Sequence, residues 1–350
     1  MSFGVETEFF HPSRHGMPEE AEELLLSQGL RPEGAPDVTV VLRMGSRPAA
    51  TASLEGDVIK MVAVAEEFQE MGLAAQAVSR VIEWARSKGL GHLFIYTKPT
   101  EADKFVSLGF TEIARSHGAV LLEMGRPNVE DFGGSLRALR EALGVTESGA
   151  VVMNANPFTL GHRYLAKTAS AMSEHLFVVV VRADRSSFPF EDRFEMVKLG
   201  VADLSNVTVL DSGPYAVSSA TFPTYFLRDP SMEDLIGVQT RLDSDLFGRL
   251  FVPSLGVKRR FVGTEPYCPV TAAYNRAMRE VLPRYGVEVV EVPRLEVSGR
   301  PVSASEVRSA MAEGRLEDLR GLLPDSTLNY LFSERGRYLF ERVAASKGGH

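Results

Sequence analysis

The chain has 350 residues, 44% hydrophobic and 24% charged, with a formal net charge of −8; two domains are expected at this length, and bulk disorder is excluded. The negative balance argues against a nucleic acid held on a broad basic face, though not against a local phosphate pocket lined by arginine. A single cysteine, Cys268, excludes a disulfide framework and fits a reducing cytoplasm, and no segment approaches the ~20 apolar residues of a membrane span, so neither secretion nor a membrane partner is expected. Taken along the chain, "PDVTVVLRMG", "ATASLEGDVIKMVAVA" and "HLFIYT" predict strands, with helices over roughly 17–28, 72–88 and 99–107. This is a small α+β unit spanning 1–126. The stretch "GRPNVEDFGGSLRALREALGVTESG" mixes Pro and Gly breakers with one short helical pattern on Leu136, Leu139 and Leu143, and predicts a linker over 127–146.

From 147 to 350 apolar strand runs alternate with helices: "GAVVMN" and a helix from Gly161; "HLFVVVV" and one from about Phe190; "NVTVL"; "RRFVG" and one from about Val270; "VEVVEV" and one from Ser303. Regular alternation predicts an α/β domain with a Rossmann-like parallel sheet covered on both faces, and ligands beyond the carboxyl ends of its strands.

"NANPFTLGHRYL", residues 154–165, lies at such an end. Pro157 cannot join a strand ladder and Gly161 permits close approach, so a sharp turn is expected, with free amides at the start of the next helix. His162 in the first helical turn would aim an imidazole at an anion bound there, and Asn154 could bond a phosphate or a nucleophile from the strand end. In "PVSASEVRSAM", residues 301–311, Ser303 is the expected N-cap, and Glu306 stands at capping-box spacing. Ser303, Ser305 and Arg308 also put hydroxyls and a guanidinium on one helix start, equipment for β- and γ-phosphates. Two such starts in one domain suggest a triphosphate lying between them.

These residues resemble the nucleotidyltransferase superfamily, marked by a (His/Thr)-x-Gly-His turn and a late Ser-x-Ser/Thr-x-x-Arg helix start. Within it, "NANPFTLGHRYL", "RSSFPFEDR", "SSATFPTYFLRD", "LDSDLFG", "RRFVGTEPYCPVTAAYN" and "SASEVR" resemble the citrate lyase ligase family over about 145–345. Gln69-x-x-Gly72-x-Ala74, followed by "FVSLGF", looks like the acyl-CoA pattern of GNAT acetyltransferases, with Ala74 in place of the commoner glycine. Such a domain precedes the nucleotidyltransferase domain in that family.

The resemblance implies a ligase that uses ATP and Mg2+ to adenylate acetate and then acetylates the thiol of the citrate lyase acyl carrier protein. His162 would stabilise the α-phosphate, with Asn154 and Thr159 as further catalytic residues that, with Phe158, shape the turn. Asn156, Phe158, Gly161, Gly263 and Glu265 would bind the nucleotide, and Ser303, Ser305 and Arg308 would hold the pyrophosphate. Arg185 and Arg193, at the end of the strongest apolar strand, are further candidates for phosphate contact. Gln69, Gly72 and Ala74 would hold the CoA-like arm of the carrier. No protein-built metal site is expected, and Cys268 reads as a packing residue. The alternatives are an adenylyltransferase of the pantetheine-phosphate or nicotinamide-mononucleotide type, and a scaffold binding nucleotide and CoA without turnover.

Overall fold

A computed structural model describes residues 4–182, 186–217, 222–227, 232–264, 269–297 and 299–345. Arg185, Glu265 and Cys268 lie outside the described residues. The chain divides into two compact units, Met1–Phe132 with Thr221–Asp245, and Gly133–Ala220 with Leu246–His350. No described helix is long and apolar enough to cross a membrane.

Unit 1 is built on seven strands: β1 (Val5–Phe10), β2 (Val38–Met44), β3 (Arg47–Glu55), β4 (Val58–Val64), β5 (His92–Thr97), β6 (Thr111–Arg115) and β7 (Val120–Gly125). Their order is β1-β2-β3-β4-β5-β7-β6. Helices α1 (Pro12–His15), α2 (Glu19–Ser27), α3 (Leu73–Ser87) and α4 (Ala102–Val106) complete its first stretch. The helix expected at 72–88 is α3, which buries Ala77, Val78, Val81, Ile82 and Ala85. That spacing is one face of a 3.6-residue period. Gly72 is its N-cap, with φ +73°, a left-handed conformation that glycine adopts without strain. Only β4 and β5 run parallel as neighbours, bonding at Val58↔Phe94 and Ile59↔Ile95.

α5 (Val129–Ala142) covers most of 127–146, so the short helical pattern there is a full helix. Unit 2 then presents β8 (Ser148–Met153), α6 (Leu160–Ala171), β9 (Leu176–Val180), α7 (Phe190–Gly200) and β10 (Val207–Asp211). α8 (Met232–Leu255), whose residues up to Asp245 belong to unit 1, follows, and its mixed pattern gave no helix from sequence. β11 (Val257–Gly263), α9 (Pro269–Val281) and β12 (Glu288–Val292) continue the alternation. A small ribbon, β13 (Glu296–Val297) and β14 (Arg300–Pro301), leads into α10 (Ala304–Ala312), α11 (Asp325–Leu331) and α12 (Glu334–Ala345).

The unit 2 sheet runs β10-β9-β8-β11-β12, every neighbouring pair parallel. From β8 the chain fills one side of the sheet and then the other, so the order reverses between β8 and β11. In sheets of this kind, ligands bind in the crevice outside the carboxyl ends of the strands at such a point. Val151, Val178, Phe261, Ala166 and Met196 pack the core beneath it. The C-terminal helices are tied down at Asp192 of α7, 1% exposed. Its carboxylate accepts from Tyr330 Oη at 2.6 Å, Arg335 Nε at 3.1 Å and Tyr338 Oη.

Candidate active site

The segment after β8 runs along the mouth of this crevice. Ala155 takes φ +50°, a left-handed conformation costing an alanine about 1–2 kcal/mol. Two bonds from neighbouring elements hold the reversal. Asn156, 7% exposed, accepts from Phe188 N–H on its Oδ1 at 3.1 Å. Its backbone oxygen accepts from Arg308 Nη1 at 2.6 Å.

Thr159 caps α6. Its Oγ1 accepts from His162 N–H at 3.4 Å, while its own N–H donates to His162 Nδ1 at 3.1 Å, a capping box with histidine in the place of the usual Glu or Gln. Thr159 Oγ1 also stands 2.9 Å from Nδ1. An Nδ1 that accepts carries no proton, so the neutral ring has its N–H at Nε2. The residue is half-buried, and desolvation of the ring together with the positive charge of Arg294 lowers its pKa to about 4. His162 is therefore a neutral donor at pH 7, fixed by its own helix cap. Phe158 stacks against it at 5.8 Å and 20°.

Phe158 and Thr159 differ from expectation. Phe158 is 0% exposed and lies against Gly200, where an added Cβ would come within 2.2 Å of its ring. With no accessible surface, its side chain supports the turn from beneath and does not line a nucleotide. Thr159, 2% exposed, spends its hydroxyl on the cap and acts by placing His162. Two of the amides expected to be open are also engaged, since Leu160 N–H donates to Leu322 O at 2.9 Å and His162 N–H to the cap. The positive end of α6, which has no acidic residue in its first turn, and the imidazole remain as the attraction for an anion.

The second helix start stands beside the first. An added Cβ on Gly161 would lie 3.5 Å from Val302 O, so the turn passes closely along the chain entering α10. Ser303 is the N-cap, its Oγ accepting from Ser305 N–H at 3.2 Å. This bond goes to the second helical residue, where the sequence predicted a reciprocal pair with Glu306. Arg308, 9% exposed, donates from Nη2 to Ser305 Oγ at 3.2 Å as well as to Asn156 O. Desolvation lowers its pKa. Gly263 closes β11 with open space where a Cβ would stand.

Arg193, expected at a phosphate, has a different place. It is 0% exposed and its guanidinium donates to Phe188 O at 3.1 Å, Val181 O at 2.8 Å and Asn154 O at 2.6 Å. A buried fork on three carbonyls pins the ends of β8 and β9 to α7, and a ligand has no access to it. Arg193 Nη1 also reaches Asn154 Oδ1 at 2.9 Å, and Ser186 Oγ stands 3.1 Å from Asn154 Nδ2. Asn154 is therefore held in one orientation while staying exposed.

Sequence reasoning missed Arg294 and Ser186. Arg294 follows β12, its N–H donating to Thr264 Oγ1 at 3.2 Å, and its charge acts on His162. The available signal was an arginine just past the end of the strand next to β11 in a sheet whose ligands lie at such ends.

In unit 1, the expected arm-binding residues gather at the start of α3. Gln69 Nε2 donates to Gln28 Oε1 at 3.3 Å, Gly72 and Ala74 open the helix, and its first turn has no acidic residue.

Comparison with known proteins agrees with this division. The family model of the citrate lyase ligase C-terminal domain matches residues 148–331, and that of the acetyltransferase (GNAT) family matches residues 14–110. A [citrate [pro-3S]-lyase] ligase of Escherichia coli (strain K12) is 36% identical over 318 residues, 89% of each chain. One of Klebsiella pneumoniae is 34% identical across 89% of this chain and 92% of its own. One of Haemophilus influenzae (strain ATCC 51907 / DSM 11121 / KW20 / Rd) is 40% identical over 286 residues, 79% of this chain and 84% of its own.

Proposed function

The chain belongs to the citrate lyase ligase family, and from that premise we propose that it adenylates acetate with ATP and passes the acetyl group to the thiol of the citrate lyase acyl carrier protein. It is an enzyme, a ligase that activates citrate lyase. In the first step an acetate oxygen attacks the α-phosphorus, the bond from that phosphorus to the bridging oxygen breaks, and pyrophosphate leaves. In the second the carrier thiolate attacks the acyl carbon, the carbon–oxygen bond to AMP breaks, and AMP leaves.

His162 donates from Nε2 to a non-bridging oxygen of the α-phosphate, where charge grows as the nucleophile adds, an effect of about 3 kcal/mol for one well-placed donor. Because Nδ1 is held by the Thr159 amide, the ring cannot rotate away. Asn154 borders the same oxygens from the end of β8. Asn156, Gly161 and Gly263 line the nucleotide through their backbone, and Glu265 receives a base or ribose hydrogen bond. Ser303, Ser305 and Arg308 bind the departing pyrophosphate at the start of α10, with Arg185 as a further phosphate contact. The positive end of α10 favours the anion that forms. Gln69, Gly72 and Ala74 hold the CoA-like arm of the carrier in unit 1.

Among the described residues no group of three His, Cys, Asp or Glu side chains could hold a metal ion. A magnesium ion bound with ATP would neutralise the leaving pyrophosphate. The lone cysteine supports a cytoplasmic setting.

The observation that carries this reading is the bond from Arg308 to Asn156 O at 2.6 Å, which ties the turn before His162 to the helix that starts at Ser303. Incubation with acetate, ATP, magnesium and deacetylated carrier should add one acetyl group to the carrier by intact mass, and acetate should be required for ATP–pyrophosphate exchange. Exchange driven instead by a phosphorylated vitamin precursor would replace this function with a dinucleotide-forming one.

A further inference from the structure

Unit 1 contains a gap that the adenylation chemistry does not use. β4 and β5 bond to each other only at Val58↔Phe94 and Ile59↔Ile95. Beyond Ile59, β4 pairs with β3 through Lys60, Ala63 and Val64, and β5 pairs with β7 through Tyr96 and Thr97. The two facing edges therefore separate, each presenting peptide groups that a strand between them would have satisfied. Met61 marks the departure with φ +55°, and it is 0% exposed.

Residues from far along the chain fill the gap. Tyr225, 5% exposed, donates its hydroxyl to Tyr96 O on β5 at 3.2 Å. The phenol thus satisfies an acceptor on the β5 edge. Burial, with the Glu33 carboxylate nearby, raises its pKa far above neutrality, so the donor proton is retained. Phe222 packs edge-on against Tyr96 at 5.6 Å and Phe226 against Tyr225 at 5.2 Å. Glu33 accepts from both the N–H and the hydroxyl of Thr224 at 2.8 Å. At the far end, Leu227 forms one wall of an open cavity of about 560 Å3, whose other walls include Gln28, Arg31, Glu66 and Gln69.

We propose that Phe222–Leu227 is an internal plug that occupies the β4–β5 gap and competes for it with an extended, amide-bearing thiol arm of the CoA type. The Tyr96 carbonyl is an acceptor that the N–H of a secondary amide matches, and the Tyr225 hydroxyl occupies it. The cavity at Leu227 already reaches Gln69, the residue assigned to the arm, so the arm enters there and advances only as the plug withdraws. The proposal rests on the reading of unit 1 as the holder of that arm. It makes the arm site a two-state element in which plug and arm exclude one another, and arm affinity is reduced by the fraction of molecules with the plug seated.

The test is calorimetric titration of the full-length enzyme with CoA as the probe, alongside acetate-dependent ATP–pyrophosphate exchange. Tyr225→Phe keeps the ring and removes the hydroxyl bond to Tyr96 O, and is expected to bind CoA about 5-fold tighter than the wild type. Phe222→Ala should add to this, and exchange should stay within about 2-fold of wild type in both. Equal CoA affinity in wild type and both variants, or no binding by any of them, overturns the plug while leaving the exchange result to judge the adenylation reading by itself. Should Phe222→Ala fail to fold, Glu33→Gln, which weakens the hold on Thr224, gives the same comparison.

Discussion

The guanidinium of Arg308 stands 2.6 Å from the backbone oxygen of Asn156, and through that bond the two helix starts of unit 2 hold each other in place. Its Nη2 donates to Ser305 Oγ at 3.2 Å. A lysine would bring one strongly hydrated point charge to a site that asks for two bonds in fixed directions. Arg308→Lys is therefore expected to lower stability by about 1–3 kcal/mol and to weaken ATP binding about 10-fold. Chemical denaturation and calorimetry check the pair, and wild-type values in both would dissolve the bridge as an explanation.

His162 acts as a donor from Nε2. Replacing it with Ala should reduce exchange about 100-fold or more with little change in ATP affinity. His162→Gln offers an amide N–H at similar reach and should recover part of that loss. Thr159→Val removes the cap hydroxyl, costing about 1 kcal/mol of stability, and should lower kcat more than it raises KM for ATP. A Gln variant no better than Ala would argue against hydrogen-bond donation as the role.

The neutral ring also fixes a pH dependence. Its folded pKa is about 4, against about 6.5 in an unfolded chain. Between those values the unfolded state binds a proton that the native state refuses, so stability is full above about 6.5 and declines as pH falls toward about 4. Denaturation curves of His162→Gln should show a shallower decline across that window. Exchange by the wild type should show no inflection near 6.5 attributable to this ring.

Arg193 gives a contrasting expectation. Its donors end on the carbonyls of Asn154, Val181 and Phe188 with no exposed surface. Arg193→Met leaves three carbonyl acceptors without this donor, the buried one at Phe188 costing about 1–3 kcal/mol. The variant should unfold at markedly lower denaturant, and ATP should restore little of the loss. A stable variant with weakened ATP binding alone would return Arg193 to the phosphates.

Much of unit 2 was readable because its strands are buried on both faces and appear as unbroken apolar runs, with turn chemistry at each end. The Ser303 cap and the turn at Gly161 followed from residue types whose preferences are local. What escaped reading depends on contacts between distant positions. Arg193 and Arg294 are both arginines near strand ends, yet one is sealed beneath the turn and the other is exposed beyond it, and no local pattern separates them. Thr159 and Phe158 belong to the right motif but support the histidine from within the fold. α8 was missed because its hydrophobic residues recur without a single apolar face, as befits a helix that has neighbours on more than one side. β1 was missed because an edge strand reads as half-exposed alternation, and its six residues show no buried position.

The grouping of Thr221–Asp245 with Met1–Phe132 has a practical meaning for anyone dissecting this enzyme. Scissors applied near residue 130 would yield an amino-terminal piece stripped of Tyr225 and its aromatic companions, with Tyr96 and Met61 laid bare to solvent. Such a fragment would be sticky and poorly folded, whereas grafting 221–245 onto its tail should restore solubility. The amino-terminal unit of this enzyme is completed by polypeptide from beyond residue 220, and ancestry by simple end-to-end fusion leaves that insertion to be accounted for.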